Sequence, residues 1–544
     1  MKRIAMVARA PAVWMTIFGL LGFAAGTLVP GCQSSTVTCT AGTSRCGAGC
    51  ADFRTDSLNC GACAVACQSL QICQDSACQC RPGSVPCGAS CVITMSDRQN
   101  CGGCGTACQP TELCELGHCV PQCTVPGLTS CAGGCVNLQS DTLNCGECGK
   151  ACLAGQSCRA GSCASDVIAA CGSTASVVGI QAIADVAGPS IAFGSAPQAL
   201  AALQGVLLEG DGLDLKLEQM RLQDFGLLTN VIDAGFSPNH ILVDDPYLYV
   251  VNGDPFADAG GAPNSTLQVL RRSEGDGGLG DAGLPLSTIA TLSFDQGNPP
   301  QAVTQLGTNL YIPLFMGEVA EVDVSNPAAP HRTTRTFDLR TLNLMPFDAG
   351  VPTFARPLGI AAYRGAVYVA LRNLDATGNP GGPGLLARLN LATGTAEAIA
   401  LPNGAPGDGG TPGCLTAYWL ATAADAGDTL YVSCNGRAQR DAGSLTSVDS
   451  SGAVAISADG GMAMWSGGCD AGVACFPAIP RRFAVVSTRL YLGDELGRVF
   501  VVEDVDGGFV ERRGYNSAPG GLPISACTSS TSGSAIVNDI IAVP

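Results

Sequence analysis

From residue 171 onward the chain alternates short apolar runs with turns rich in Gly, Asp and Pro, and one tripeptide recurs inside the apolar runs. Leu248-Tyr249-Val250, Leu310-Tyr311-Ile312, Val367-Tyr368-Val369, Leu430-Tyr431-Val432 and Leu490-Tyr491-Leu492 all read aliphatic-Tyr-aliphatic. Their tyrosines lie 62, 57, 63 and 60 residues apart. An alternating apolar segment precedes each tripeptide, as at 356–363 and 482–486. A Gly-rich turn and a second alternating segment follow, as at 385–391 and 498–503. Strand, turn and strand at a fixed period, with β-branched and aromatic content, predict one antiparallel unit used repeatedly.

Two weaker copies bracket these five. Residues 205–208 followed by 213–217 fit an earlier unit, and 535–541 match 484–491. The chain stops after the inner strands of that last unit, and 177–183 supply the outer strand it lacks, which closes a ring without a free edge. The pattern predicts an all-β chain whose larger domain, 171–544, is a β-propeller of seven blades, with six as the alternative. The tyrosine segment is then a buried inner strand of each blade. Asp-Ala-Gly occurs seven times, at Asp233, Asp258, Asp281, Asp348, Asp425, Asp441 and Asp470, and Asp-Gly-Gly four times. Both read as solvated loop insertions, since Asp and Gly favour turns.

Ahead of about residue 170 apolar side chains are scarce and cysteine takes over. Cys39, Cys46, Cys50, Cys60, Cys63, Cys67, Cys73 and Cys78 follow C-x6-C-x3-C-x9-C-x2-C-x3-C-x5-C-x4-C. Cys80, Cys87, Cys91, Cys101, Cys104, Cys108, Cys114 and Cys119 repeat it. Cys123, Cys131, Cys135, Cys145, Cys148, Cys152, Cys158 and Cys163 differ by one extra residue in the first gap. Eight cysteines at fixed offsets form a disulfide framework, which places the chain outside the cytosol. Three units result, 39–79, 80–122 and 123–163, joined by a linker at 164–170 to the larger domain. Units this small bury too little apolar surface to fold alone, so crosslinks worth roughly 2–4 kcal/mol each supply the stability.

The first residues explain the compartment. Lys2, Arg3 and Arg9 form a basic start, and an uncharged apolar stretch follows from about residue 12 to 25. It is short and broken by glycine, which reads as a signal peptide, 1–31, rather than a membrane span. Leu28-Val29-Pro30-Gly31-Cys32 resembles a bacterial lipobox. That resemblance implies cleavage before Cys32 and its lipidation, a tether at 32–38 and, with Gln33 next, the outer membrane. Plain secretion is the alternative. The count agrees: setting Cys32 aside from 31 cysteines leaves 24 in the repeats and six beyond them, all able to pair. For those six the expected bonds are Cys171–Cys527, closing the ring, Cys414–Cys434 across two inner strands, and Cys469–Cys475 stapling a loop. The formal charge of −17 becomes −20 once the three leader cations are lost, which excludes a nucleic-acid partner.

Aligned on cysteine, Asp56-Ser-Leu-Asn59-Cys60-Gly61, Asp97-Arg-Gln-Asn100-Cys101-Gly102 and Asp141-Thr-Leu-Asn144-Cys145-Gly146 share D-x-x-N-C-G. Glycine permits positive φ, and Asp and Asn side chains bond local backbone N–H groups, so the motif predicts a capped turn. The longer core, D-x-x-N-C-G-x-C-G-x-x-C, resembles the stigma-specific protein family of secreted cysteine-rich modules. Ala64 departs from it where the motif has Gly. The resemblance implies an extracytoplasmic module with protein or lipid recognition and carries no activity with it. Zinc binding or redox chemistry by the C-x2-C pairs Cys60/Cys63, Cys101/Cys104 and Cys145/Cys148 is the competing reading. Calcium at Asp56, Asp97 and Asp141 is another, with one carboxylate per unit.

No nucleophile elbow, phosphate loop or H-E-x-x-H motif appears. His118 lies in a cysteine unit, His240 before a predicted strand and His331 in a loop, none beside a matching nucleophile or carboxylate pattern. Glu503, Asp494 and Asp323 are the carboxylates with a place near a central channel. The sequence therefore points to a non-enzymatic envelope lipoprotein with no cofactor, in which a disulfide-rich stalk presents a propeller to a protein or glycan ligand. The alternatives are a tethered lactonase-like propeller hydrolase or lyase, and recognition by the cysteine repeats themselves.

Overall fold

The period-two alternation becomes β-structure throughout: among the described residues the helical elements are two single 3-10 turns, Gly172–Thr174 and Leu339–Thr341. The computed structural model describes residues 44–46, 49–51, 53 and 59–543. Within that span it leaves out 69, 75, 82, 154, 183–184, 213–214, 234, 236, 254–264, 274–281, 296, 348–349, 351, 403–413, 423–428, 436, 442–443, 450–451, 458–461, 467–479, 506–507, 515–522 and 528–535. The leader, Cys32, Cys39, Cys469, Cys475, Asp56 and the Asp-Ala-Gly sites at 258, 281, 348, 425 and 470 lie outside the described residues.

Seven antiparallel sheets, each with a main path of four strands and none closed on itself, occupy 167–542. Six are meanders. They run from Pro197–Leu203 to Ile232–Asp233, Pro238–Asp244 to Leu286–Ser293, Thr304–Leu306 to His331–Asp338, Pro357–Tyr363 to Thr395–Ala400, Ala417–Thr422 to Met462–Ser466, and Pro480–Val486 to Gly508–Arg513. The remaining sheet, taken here as the first, combines the two ends of the domain. Val537–Ala542 pairs with Val167–Cys171, which pairs with Ser176–Gln181 and then Val186–Ala192. The lead strands of successive sheets are neighbours: 537–542 packs on 197–203, 197–203 on 238–244, 357–363 on 417–422, 417–422 on 480–486, and 480–486 back on 537–542. The third and fourth sheets share an apolar cluster containing Tyr249, Val251, Leu310 and Ile312. Asn309–Leu314 then packs on 357–363, so the sheets succeed one another in a cycle.

The aliphatic-Tyr-aliphatic segment is the second strand of its sheet. Tyr249, Tyr311, Tyr431 and Tyr491 are buried there, while Tyr368 is half-buried. Pro197, Pro238, Pro357 and Pro480 open their lead strands opposite Asp211, Asn252, Leu371 and Asp494, and a bulge follows each. Proline has no N–H for the ladder and is tolerated at a strand's first residue. The bulge then turns the next side chains away from the regular alternation.

Residues 164–170 are not a linker. Val167–Cys171 is a strand buried along its whole length. It lacks alternation because both its faces are covered, which makes it a short featureless apolar run in the sequence. Closure also divides differently: the end of the domain contributes one strand and its beginning three.

In the cysteine-rich region each described disulfide stays within its own set of eight. The bonds are Cys46–Cys63, Cys60–Cys73 and Cys67–Cys78. Next come Cys80–Cys91, Cys87–Cys104, Cys101–Cys114 and Cys108–Cys119, then Cys123–Cys135, Cys131–Cys148, Cys145–Cys158 and Cys152–Cys163. The D-x-x-N-C-G turn explains its residues. Asp97 accepts from Gln99 N–H at 2.8 Å, Asn100 Oδ1 from Gly105 N–H at 2.8 Å, and Cys101 N–H donates to Thr106 O at 2.8 Å. Gly102 sits at φ +74°, where a Cβ would come within 2.6 Å of Gly117 O, and Gly61 and Gly146 meet the same obstacle.

Candidate functional site

The bulges that open the lead strands aim side chains two ways, toward the centre of the cycle and onto one end of it. At the centre, side chains from opposite sheets meet. The Arg482 guanidinium stacks 4.2 Å from the Trp419 ring centroid, pairs with Asp539 at 2.9 Å and donates to Asn239 O. His240 packs edge-on against Trp419 with centroids 5.2 Å apart, and its Nδ1 accepts from Val303 N–H at 3.3 Å. Asp539 accepts in turn from Leu200 N–H at 2.7 Å. Desolvation, with the Arg482 charge adding to it, lowers the His240 imidazole to about 3, so it is neutral at physiological pH. Burial pushes the Asp539 carboxyl up, and Arg482 opposes that. The axis is thus filled by a stacked and hydrogen-bonded plug joining five sheets. A buried guanidinium is costly unless paired and bonded, and here it is both.

The neighbouring arginine goes elsewhere. The bulge that sends Arg482 to the axis sends Arg481 onto the end of the cycle, 5.5 Å over the Tyr418 ring. Together with Arg372, Asn379, Asn435 and Glu495 they line a cavity of about 200 Å³ between the fifth, sixth and seventh sheets. Arg481 lies 3.6 Å from Glu495. Tyr418, more than Glu495, holds the Arg481 guanidinium above the usual arginine value against the effect of burial. Arg372 and Arg481 each have a buried Nε with no hydrogen-bond partner, but Arg372, unlike Arg481, makes no ion pair among the described residues. Desolvation lowers it, Tyr418 partly offsets this, and the charges of Arg356 and Arg481 lower it further.

The sequence candidates fall in other places. Glu503 and Asp323 lie on third strands, away from the axis. Glu503 pairs with Arg489 at 3.6 Å and Arg512 at 3.5 Å, and Asp323 accepts from Ser325 N–H at 2.7 Å. Asp494 is buried at the end of a second strand and holds Arg498. His331 begins a strand rather than lying in a loop, His240 is inside one, and His118 is exposed in a short hairpin. Cys171 is bonded to Cys527 and Cys414 to Cys434. The two cysteines of each C-x2-C pair bond to different partners, as Cys101 does to Cys114 and Cys104 to Cys87, so neither a thiolate pair nor a local redox disulfide is formed. The Asp97 and Asp141 carboxylates cap their own turns.

The third cysteine unit is fixed to the first and second sheets. Gln156 Nε2 donates to Leu222 O at 3.1 Å, and Gln181 Nε2 donates to Gln156 O at 3.2 Å. Buried Asp166 pairs with Arg159, accepts from Ala182 N–H at 2.7 Å, and through its carbonyl receives Val543 N–H at 2.9 Å. Gly155, at φ +79°, approaches so closely that a Cβ would lie 2.4 Å from Gly179 O and from Gly188 N.

Residues 117–166 match the Stigma-specific STIG1-like protein family. The chain's cysteine-rich region is similar to that family over this span. No curated protein sequence matches the chain. Among solved structures, hydrazine synthase of Kuenenia stuttgartiensis aligns at 12% identity over 56% of this chain and 76% of its own, with a TM-score of 0.38. Apo AztD from Citrobacter koseri aligns at 12% over 69% and 97%, with a TM-score of 0.37. The computationally designed Ika8 protein aligns at 11% over 63% and 89%, with a TM-score of 0.33.

Sequence reasoning missed both the plug and the arginine cavity. Their residues come from separate sheets, and Arg372 and Arg481 are far apart in the chain. The one local sign was Pro-Arg-Arg at 480–482, a proline followed by two cations at the start of a strand.

Proposed function

We propose that the protein is a non-enzymatic binding protein of the bacterial cell envelope, anchored through lipid on Cys32. Its seven sheets act as the blades of a β-propeller that binds a glycan or protein ligand, and three cysteine-rich repeats hold that head to its tether. The observation that carries this reading is the division of labour at the lead strands. The axis is filled by the Arg482–Trp419–His240–Asp539 plug, while the polar cavity lined by Arg372, which makes no ion pair among the described residues, lies on the end of the cycle. Fixed polar groups around a concavity are what ligand sites use for orientation. The docking of the third unit through Gly155, Gln156 and Asp166 supports a rigid pedestal rather than a free hinge.

A second reading has its own support. Leu70, Ile72, Ile93, Leu143 and Leu153, together with Arg81, line a cavity of about 300 Å³ where cysteine units meet the first sheet. That would make the cysteine-rich region the recognition element. A glycan array probed with the full chain, with 39–163 alone and with a chain starting at Ser165 separates the readings. Binding by the full chain and the sheet domain, without turnover of the bound glycan, fits the proposal. Binding by 39–163 alone transfers recognition to the cysteine units, and hydrolysis of the glycan contradicts a non-enzymatic role.

A further inference from the structure

The chain is acidic overall, with 45 carboxylate and 28 basic side chains, yet the cavity between the fifth, sixth and seventh sheets runs the other way. Arg372 and Arg481 line it from the fifth and seventh sheets against a single lining carboxylate, Glu495. Arg481 is anchored by Glu495 and by the ring of Tyr418. Arg372 has no such ion pair: its Nε is buried with no hydrogen-bond partner, and no carboxylate pairs with it among the described residues. An unpaired buried cation is costly, and a bound oxyanion is the partner that would relieve the cost. Guanidinium forks fit carboxylate and phosphate oxygens in the same plane, two bonds at a time.

Size and polarity narrow the ligand. The cavity is small, about 200 Å³, below the roughly 300–1,000 Å³ of drug-sized ligand sites, which suits a single sugar ring. The remaining lining is amide and aromatic: Asn379 and Asn435 can meet hydroxyl groups, and Tyr418 offers an apolar ring. The negative field of the whole chain does not forbid this, because charges beyond about 8 Å are screened at physiological ionic strength.

We infer that this cavity binds the carboxylate of an acidic sugar unit, a uronate, through Arg372 and Arg481. The inference rests on the binding role proposed above and specifies its glycan. Calorimetric titration of the full chain with glucuronate, glucose and inorganic phosphate tests it, alongside retention on immobilised polygalacturonate. Glucuronate is expected to bind, glucose not, and phosphate at least tenfold more weakly than glucuronate. Arg372→Gln should reduce glucuronate affinity at least tenfold and Arg372→Lys by less, with unchanged melting temperature. Arg340→Gln, which removes an exposed arginine paired with Asp338 and Glu318 elsewhere, should leave affinity unchanged.

Equal binding of glucose and glucuronate, tighter phosphate binding, or equal loss in the Arg340 and Arg372 variants would each overturn the inference. Should Arg372→Gln fail to fold, Arg481→Gln and the Arg372→Lys variant carry the same comparison. Retention of the wild type on polygalacturonate that Arg372→Gln leaves intact would sink the cavity assignment while sparing the binding role. A blank result on both polygalacturonate and the glycan array sinks the glycan reading along with it.

Discussion

The two parts of the chain reach stability by opposite means. In the cysteine-rich region the buried clusters are made of sulfur: Cys101, Cys108 and Cys114 in the second unit, and Cys145, Cys152, Cys158 and Cys163 in the third. In the sheet region the clusters are aliphatic and aromatic, and each is shared between neighbouring sheets, as Leu208, Leu217, Leu248 and Val250 are between the second and third. Short units cannot remove enough apolar surface from water to offset chain entropy, so bonds that restrict the unfolded chain replace the core. The sheets bury long apolar strands and need a crosslink mainly where the cycle joins its own ends. The same element, cysteine, is a core in one region and a clasp in the other.

Breaking the clasp gives the largest expected effect. Replacing Cys171 and Cys527 together by Ser opens a loop of separation 356, and the chain-entropy model puts the loss at about 6 kcal/mol. Denaturant unfolding followed at the sheets should show it. A loss under 1 kcal/mol would mean that strand pairing of Val537–Ala542 closes the cycle unaided.

The axial plug comes next. Because His240 is lowered to about 3 from an ordinary value near 6.5, the unfolded chain binds a proton that the folded chain does not take. Its contribution is fully present above about pH 6.5 and is lost as pH falls toward 3, at a slope of about 1.4 kcal/mol per pH unit. His240→Gln should remove one proton's worth of that slope between pH 4 and 6. An unchanged slope in the variant would show that the imidazole is not enclosed.

The smallest effect tests the cysteine units. Ala64 occupies the left-handed region at φ +59°, where the equivalent residues are Gly105 and Gly149 at +72° and +80°. A Cβ in that conformation costs about 1 kcal/mol. Ala64→Gly should therefore stabilise the first unit by up to about 1 kcal/mol, less what glycine adds to unfolded-chain entropy. Its effect should appear as slower exchange of the Cys60 amide, which bonds Val65 O.

What the sequence revealed follows the range of the interactions involved. The aliphatic-Tyr-aliphatic segments identified second strands because a tyrosine flanked by aliphatics is a local pattern with a period. The D-x-x-N-C-G turn was legible for the same reason, since Asn100 and Gly105 are five residues apart. Disulfide connectivity within the cysteine units was not legible, since eight cysteines allow 105 pairings and spacing does not choose among them, whereas Cys171–Cys527 and Cys414–Cys434 in the sheet domain were. Val167–Cys171 escaped notice because a strand buried on both faces has no polar positions to set a period. The plug and the arginine cavity depend on which sheets stand next to one another. Arg482 meets Asn239 only after the cycle has closed, and Arg481 meets Tyr418 only once the sixth and seventh sheets pack together.

Peptide-resolved hydrogen exchange on the full chain, with and without reductant at neutral pH, tests the contrast between covalent and hydrophobic regions most directly. Peptides within 83–163 should lose their protection on reduction, while those covering Tyr247–Asn252 and Asn309–Leu314 keep theirs. Protection that survives reduction in the cysteine units, or that collapses in both regions together, would contradict the account.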